Sequence, residues 1–269
     1  YSMINKKKLF LNNLAQTSDN PMLLEIEKAS GVYMYRPDGS KVIDLISGVS
    51  VSVLGHNHPD VVKAVKNQVD KYMHLMVYGE LIQTPQVELA HILNSILPEN
   101  LNSVYLVNSG SEATEGAVKL AKRYTGRTKI IAFKNAYHGS TNGALSLLGN
   151  DYFKRNYFPL LPGVSFIEFN NAEDLLKINS ETAAVIVEPI QGEAGIVMPE
   201  NDFLKLLQSR CKETGALLIF DEVQTGFGRT GKMFAFEHYG VVPDILNLAK
   251  AFGAGMPLGA FISSKKIMS

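Results

Sequence analysis

The feature that most constrains the fold of this 269-residue chain is a series of seven short apolar runs separated by segments with helical periodicity. Helical patterns such as Glu112–Tyr124 and Phe203–Thr214 lie between several of the runs. Continuous apolar strands joined by helices are typical of a parallel sheet that is buried on both faces. The sequence therefore predicts an α/β fold, a mostly parallel sheet with helices on both faces. The runs are Val104–Val107, Ile130–Phe133, Val164–Phe169, Ala183–Val187, Ala216–Phe220, Ile245–Leu248 and Ala260–Ile262.

The first residues predict a separate small layer. The turn residues Pro37-Asp38-Gly39 stand between two apolar stretches, a pattern typical of a β-hairpin. From Pro59 onwards the apolar residues recur with helical spacing. We therefore expect the N-terminal part of a small domain over residues 1–58 and a large domain over residues 59–269.

Composition excludes several classes of partner. Lys and Arg together number 26 and so do Asp and Glu, so the net charge is zero and nothing predicts a nucleic acid or an acidic membrane as partner. No stretch of the sequence approaches the run of about 20 apolar residues that a membrane helix needs. Cys211 is the only cysteine, so no intrachain disulfide is possible and a cytoplasmic location is the expectation.

The segment Asn108-Ser109-Gly110-Ser111-Glu112 follows a predicted strand and opens a predicted helix. Amides at a helix N-terminus can bind an anion, Gly110 allows close approach of the backbone, and Ser111 adds a hydroxyl donor. The alternative is an ordinary helix cap with Ser109 or Ser111 at the N-cap. Taken alone, this segment favours the cap.

Two histidine motifs allow different interpretations. Tyr137 follows a predicted strand, where an aromatic ring can stack on a flat heterocycle, and His138 beside it is a possible general base or metal ligand. A histidine in this position is more often held by a hydrogen bond, so we give His138 a supporting role. His56 and His58 have no evident third ligand, so no metal site is predicted.

Carboxylates follow two of the predicted strands. Glu188 and Glu193 follow one run, and the sequence leaves open whether they act as acid and base or as solvated charges in a turn. Asp221 ends another run, where it would remain ionised only beside a cation such as a pyridinium nitrogen. An aspartate that caps a turn is an equally good interpretation of Asp221 alone.

Lys250 directly follows the run Ile245–Leu248. A lysine at the end of a buried strand is costly unless its amine is paired or reacts covalently, and such amines form imines with carbonyl compounds. For an isolated lysine, extension of the side chain to solvent would be the better interpretation. Together, however, the anion cradle, the aromatic platform, the carboxylate and the lysine match the phosphate, ring, ring nitrogen and aldehyde of pyridoxal 5'-phosphate (PLP).

With these residues in view, the chain resembles the class III aminotransferases of PLP fold type I over nearly its whole length. The most specific segment is Asp221-Glu222-Val223-Gln224-Thr225-Gly226-Phe227-Gly228-Arg229-Thr230-Gly231, supported by Leu54-Gly55-His56-Asn57-His58-Pro59 and Pro257-Leu258-Gly259-Ala260. The resemblance implies that Lys250 forms the Schiff base with PLP and then moves the proton. It also implies the other cofactor contacts: Gly110 and Ser111 at the phosphate, Tyr137 and Val223 on the two ring faces, His138 beside Tyr137, Asp221 at the ring nitrogen, and Gln224 near the ring hydroxyl.

The resemblance also implies an activity and its limits. Glu193 resembles the glutamate that gates the substrate arginine in ornithine-, acetylornithine- and 4-aminobutyrate-type members. The implied reaction moves an amino group from such a donor to a keto acid, by resemblance 2-oxoglutarate, in a homodimer. Acetylornithine-type members usually carry an arginine where this chain has Ser140, which argues against acetylornithine itself. The family continues beyond residue 269, so we expect that the end of the large domain and a C-terminal domain are absent from this chain.

Three alternatives to transamination remain. A glutamate-1-semialdehyde aminomutase shares the lysine and PLP, but usually lacks the residues found here as Glu193 and Gln224. A PLP decarboxylase of the same family and a non-catalytic scaffold protein are the others. A Rossmann dehydrogenase is excluded, because no strand-linked Gly-x-Gly-x-x-Gly with a later acidic residue occurs.

Overall fold

The computed structural model describes residues 5–76 and 79–269, and their contacts group into two units. The first unit contains the described residues up to Val49 together with Leu54–Met73, and the second contains Ser50–Val53 and the described residues from His74 onwards. The sequence placed a boundary between residues 58 and 59, whereas the contacts place it after Met73. Pro59 begins a helix, Pro59–Val69, which groups with the first unit, and the domain roles assigned from the sequence stay predictions.

The first unit is a three-stranded antiparallel sheet with two helices. Its strands follow the chain order, and the turn at Pro37-Asp38-Gly39 joins the second strand to the third, as the sequence predicted. The Gly39 φ of +81° lies in the left-handed region that glycine adopts readily. The elements are α1 (Lys6–Asn13), β1 (Lys28–Ser30), β2 (Tyr33–Tyr35), β3 (Lys41–Ile43) and α2 (Pro59–Val69).

Asp44 organises the segment that follows β3. Its Oδ1 accepts the amides of the second and third residues after it, and its Oδ2 accepts the amide of Gly48 at 2.9 Å. The same Oδ2 lies 2.8 Å from Nε2 of His56. These bonds begin a single left-handed turn over Ser47–Ser50. His56 is therefore used as a structural partner of Asp44.

The second unit contains a seven-stranded sheet in the order β4-β10-β9-β8-β7-β5-β6. Six strands run parallel, and β10 is antiparallel to both of its neighbours. Every predicted apolar run forms a strand, so the prediction of a mostly parallel sheet is confirmed. The strands are β4 (Ser103–Val107), β5 (Lys129–Phe133), β6 (Val164–Ile167), β7 (Thr182–Val187), β8 (Leu217–Asp221), β9 (Ile245–Leu248) and β10 (Gly259–Ser263).

Helices cover both faces of this sheet. One hydrophobic cluster includes Leu93 and Leu207 with Val185 of the sheet, and the other includes Ala117 with Ile186 of the same strand. Because neighbouring residues of β7 enter opposite clusters, the strand is buried on both faces. The helices are α3 (Thr84–Ile96), α4 (Gly110–Thr125), α5 (Asn142–Ser146), α6 (Phe203–Thr214), α7 (Phe236–Tyr239) and α8 (Lys265–Met268), with 3₁₀ turns at Asp151–Phe153, Glu173–Lys177 and Lys250–Gly253. No helix within residues 5–76 and 79–269 is long and apolar enough to cross a membrane.

Candidate active site

The candidate site lies at one edge of the sheet, where the carboxyl ends of the parallel strands meet. Strands β4, β5, β7, β8 and β9 point the same way, and a residue singled out from the sequence ends or follows each of them. Loops at this edge are the usual place for ligands in open α/β sheets. These residues are Gly110, Tyr137, Glu188, Asp221 and Lys250.

Lys250 begins the 3₁₀ turn that follows β9, and its side chain is half-buried. Its Nζ donates a hydrogen bond of 2.6 Å to Oε1 of Gln224. Burial lowers the pKa of the Lys250 ammonium from its ordinary value, and the carboxylates of Asp221 and Glu193 oppose that shift. The Lys250 φ of +48° is unusual for a side chain of this size, and such strain is concentrated at functional sites. The amine is therefore aimed into the site and is easier to deprotonate than a surface lysine.

Asp221 and His138 form a buried pair. The Nδ1 of His138 lies 2.7 Å from Oδ2 of Asp221, and the side chains are 0% and 5% exposed. The other carboxylate oxygen of Asp221 accepts the amide of Val223 at 3.0 Å. The Nε2 of His138 is buried and has no hydrogen-bond partner among the described residues. His138 thus holds Asp221 in place, and its role at a cofactor stays a prediction.

The segment before α4 contains a helix cap and leaves Ser111 available. Ser109 is the N-cap, because its hydroxyl accepts an amide of the first turn at 3.2 Å. The Ser111 hydroxyl instead accepts the amide of Ser140 at 3.2 Å. A Cβ on Gly139 would lie 2.3 Å from Oγ of Ser111, and the Gly139 φ is +122°, so glycine is required there. Ser109 therefore forms the cap without Ser111, and the binding of an anion at Gly110 and Ser111 stays a prediction.

Gly110 brings the start of α4 against the other loops of the site. A Cβ at this position would come within 3.0 Å of a Val223 methyl group and 3.5 Å of the Cβ of Ala249. Ala249 is the residue before Lys250, so the helix N-terminus, the Asp221 loop and the lysine are contiguous. Tyr137 is 37% exposed, and its ring meets the edge of the Phe153 ring at a centroid distance of 6.3 Å.

The structure gives different surroundings to Glu188 and Glu193, whose roles the sequence left open. Glu193 is exposed and forms no hydrogen bond with any described residue; it acts on Lys250 through its charge. Glu188 is 5% exposed and accepts two backbone amides, from Tyr137 at 2.9 Å and Gly192 at 3.1 Å. Of the two, Glu188 belongs to the framework and Glu193 faces solvent beside the lysine.

Sequence reasoning missed Glu222, whose carboxylate is completely buried. It accepts the amides of Ala235 at 2.7 Å and Phe236 at 2.8 Å, and the hydroxyl of Thr225 at 3.0 Å. Burial raises the pKa of Glu222 to about 7, although these hydrogen bonds lower it. The carboxylate ties together the two ends of the loop that carries Val223. Its position next to Asp221 could have pointed to a role near the site. Its partners, however, lie 13 and 14 residues further along the chain.

Comparison with known proteins assigns the family. The profile described as "Aminotransferase class-III" matches residues 14–269, so the chain belongs to the class-III aminotransferase family. It is 45% identical over 236 residues to a [LysW]-aminoadipate semialdehyde/glutamate semialdehyde transaminase of Sulfolobus acidocaldarius, covering 87% of this chain and 60% of that protein. It is 46% identical over 240 residues to the acetylornithine aminotransferase of Methanopyrus kandleri, covering 88% of this chain and 61% of that protein.

A solved structure agrees with this assignment. The ornithine aminotransferase of Toxoplasma gondii, described with partial occupancy of PLP at its active site, superposes with a TM-score of 0.89 at 30% identity. The match covers 97% of this chain and 63% of that one. The chain thus spans about 60% of the length of the curated relatives it matches, and it has the fold of the PLP fold type I transaminases.

Proposed function

We propose that this chain is the PLP-binding part of an aminotransferase that uses Lys250 as its reactive amine. The donor is an amine or amino acid of the ω-amino type, and the acceptor is a keto acid such as 2-oxoglutarate. The observation that carries the proposal is the position of Lys250, half-buried at the end of β9 and hydrogen-bonded to Gln224 beside the Asp221–His138 pair. The transaminase names of the relatives support the same reaction.

The residues present fit PLP. The N-terminal amides of α4 have no partners within the helix and, with the Ser111 hydroxyl, would hold a phosphate. Tyr137 and Val223 would lie against the ring, and the Asp221 carboxylate would face its nitrogen. The buried Nε2 of His138, which has no described partner, is an unused polar group at this place. When bound, PLP supplies an electrophilic carbon for amines and an electron sink for the carbanion formed on the substrate.

The chemistry assigned to Lys250 follows from its surroundings. Because burial lowers its pKa, a larger share of this amine is uncharged near neutral pH than on a surface lysine. An uncharged amine can act as a nucleophile and can accept a proton from a neighbouring carbon. The Gln224 oxygen accepts a hydrogen from Nζ and so orients the amine.

Asp221 is the electrostatic partner of the cofactor in this proposal. A buried carboxylate stabilises a positive charge facing it, because little water is present to screen the interaction. His138 and the Val223 amide each bond one of its oxygens, which prevents the carboxylate from rotating. A preorganised charge of this kind acts without reorganisation during the reaction.

The proposal extends to the identity of the amino donor and to the oligomeric state of the protein. Glu193 is exposed beside Lys250, where it can contact a substrate or a residue that binds one. Ser140 gives the site a small polar group where a cation would otherwise bind an α-carboxylate, which favours donors other than acetylornithine. A homodimer is expected from the family, and no nucleic acid or membrane partner is proposed.

The test is chemical trapping in the complete protein. Borohydride reduction after incubation with PLP is expected to attach one pyridoxyl group to Lys250, located by peptide mass spectrometry. Lys250→Ala should abolish the label and reduce transamination of ω-amino donors by at least about 10³-fold, since a covalent nucleophile and proton carrier is lost.

Lys154 provides the matched control. It is also buried, but its Nζ pairs with Asp151 at 3.5 Å and lies 4.0 Å from the centre of the Phe166 ring. Lys154→Met should therefore leave the label on Lys250. Attachment of the label to another lysine in the wild-type protein would refute the proposal.

A further inference from the structure

Glu188 connects two loops of the site through its two carboxylate oxygens. It follows the last residue of β7 and is 5% exposed. Its Oε1 accepts the amide of Tyr137 in the loop after β5, and its Oε2 accepts the amide of Gly192 in its own loop. Each oxygen therefore has a different loop as its partner.

The first of these bonds acts on the aromatic platform and on the buried pair. This amide belongs to Tyr137, whose ring is proposed to lie against the cofactor, and the next residue is His138, which bonds Asp221. A displacement of this backbone would move the Tyr137 ring and the His138 imidazole together. Holding the amide therefore sets the positions of both side chains.

The second bond acts on the lysine. A Cβ on Gly192 would lie 2.6 Å from Nε2 of Gln224, so the Gly192 backbone is packed directly against that side-chain amide. The same amide group accepts the hydrogen bond from Lys250 at 2.6 Å. Glu188 holds the Gly192 amide and so fixes the backbone that packs against the Gln224 side chain. Because Gln224 accepts the hydrogen bond from Lys250, the position of the Lys250 amine depends on Glu188 as well.

We propose that Glu188 is a positioning residue that fixes the separation of the Tyr137 loop and the Gly192 loop, and through them the placement of His138, Gln224 and Lys250. It acts on the reacting groups through these neighbours. The proposal rests on the proposed function only where PLP affinity is used as one of its two measurements, the other being amide hydrogen exchange.

The side-chain chemistry requires a carboxylate at this position. Two amide donors converge on Glu188, so the side chain must offer an acceptor to each of them. Glutamine has one acceptor oxygen, and its NH₂ group would face one of the two N–H donors. Burial raises the pKa of Glu188, and His138 and the two amide hydrogen bonds oppose that shift while the charge of Asp221 adds to it.

The same two loops are joined a second time by a neutral group, which supplies a matched control. The side-chain NH₂ of Gln191 donates to the backbone oxygen of Lys134 at 2.9 Å, and Gln191 is 2% exposed. Gln191→Ala would remove this link and leave both amides bonded to Glu188. The comparison of Glu188→Gln with Gln191→Ala therefore separates the specific positioning by Glu188 from a general loosening of the loops.

The experiment measures amide hydrogen exchange in cofactor-free complete protein, followed by PLP affinity. In wild type, the amides of Tyr137 and Gly192 should exchange slowly although both lie in loops. Glu188→Gln should accelerate exchange at one or both by about tenfold or more and weaken PLP binding by about tenfold. Gln191→Ala should leave these two amides slow, and Glu188→Asp, which keeps both acceptors on a shorter side chain, should give an intermediate result.

The outcomes decide the proposal separately from the proposed function. Equal exchange at Tyr137 and Gly192 in Glu188→Gln and wild type would overturn it. Rapid exchange of both amides in wild type would also overturn it, and that measurement requires no variant to fold. A wild-type protein that fails to bind PLP would refute the proposed function, while the exchange data would still decide the role of Glu188.

Discussion

Different kinds of interaction stabilise the interior of each of the two units. In the second unit, hydrophobic side chains form two clusters, one on each face of the seven-stranded sheet. Among the described residues of the first unit no hydrophobic side chain is buried, and Leu45 and Met22 are 90% and 75% exposed. Its order comes from strand pairing and from the hydrogen bonds around Asp44.

This difference shows where the chain can position a reactive group. Every residue assigned to the site belongs to the second unit, where strands that are buried on both faces end in short loops. Burial of apolar area contributes about 25 cal/mol per Å², whereas a hydrogen bond exchanged with water contributes little net stability. The second unit therefore provides the more rigid support, and three experiments test this comparison.

The largest expected effect compares one leucine from each unit. Leu207 in α6 is 0% exposed, and Leu207→Ala should lower the free energy of unfolding by about 2–5 kcal/mol because it leaves a cavity in the core. Leu45→Ala, at a side chain that is 90% exposed, should change it by no more than about 0.5 kcal/mol. Urea denaturation of both variants measures the difference. Similar losses in the two variants would contradict the assignment of the core to the second unit alone.

The next effect is a pH dependence within the second unit. Burial raises the pKa of Glu222 from 4.5 to about 7, so between these values the folded protein keeps a proton that the unfolded chain releases. Stability contributed at this residue should therefore fall as pH rises from about 4.5 to 7, by at most about 3 kcal/mol.

Thermal unfolding across this pH range tests the prediction. Glu222→Gln cannot titrate, so its melting temperature should depend less on pH than that of wild type. Wild-type and variant curves that remain parallel from pH 5 to pH 8 would show that Glu222 does not titrate in this range.

The smallest effect concerns Asp44, whose contribution to stability depends on pH in the opposite direction to that of Glu222. The hydrogen bond from His56 lowers the pKa of Asp44, burial opposes the shift, and the amides of Gly48 and its neighbours add to it. Its stabilising contribution is present above the ordinary aspartate pKa and is lost as pH falls through the lowered value. Asp44→Asn should accelerate amide exchange at Gly48 by no more than about tenfold at pH 7, since the group is close to the surface.

A control separates charge from local structure. The difference between Asp44→Asn and wild type should shrink as the pH is lowered, because the wild-type carboxyl then also loses its charge. A difference that is independent of pH would show that the shape of the acceptor, and not its charge, maintains the turn.

The sequence predicted the strands well because a run of four or five apolar residues has few other uses in a globular chain. It did not predict that β10 is antiparallel, since Ala260 and Ile262 are buried in either direction. The assigned roles of Lys250 and Asp221 remain predictions, although the structure brings both residues to the same edge of the sheet. The contact between His138 and Asp221 joins residues 83 positions apart, and no local pattern encodes it.

The two buried glutamates show the limit of sequence reasoning in another way. Glu188 and Glu222 stand in motifs that the sequence analysis quoted, yet their partners are backbone amides of other loops. A backbone amide is present at nearly every residue, so its location carries no signal in the sequence. Such contacts can be recognised only after the strands have placed the loops.

The position of β10 has a consequence for the order in which the sheet is completed. Strand β4 lies at the edge of the sheet and pairs with β10, about 150 residues further along the chain. During synthesis from the N-terminus, β4 therefore cannot pair with the sheet until β10 has emerged. Pairing over such a sequence separation is slow, so we expect β4 to be the last of the seven strands to join the sheet.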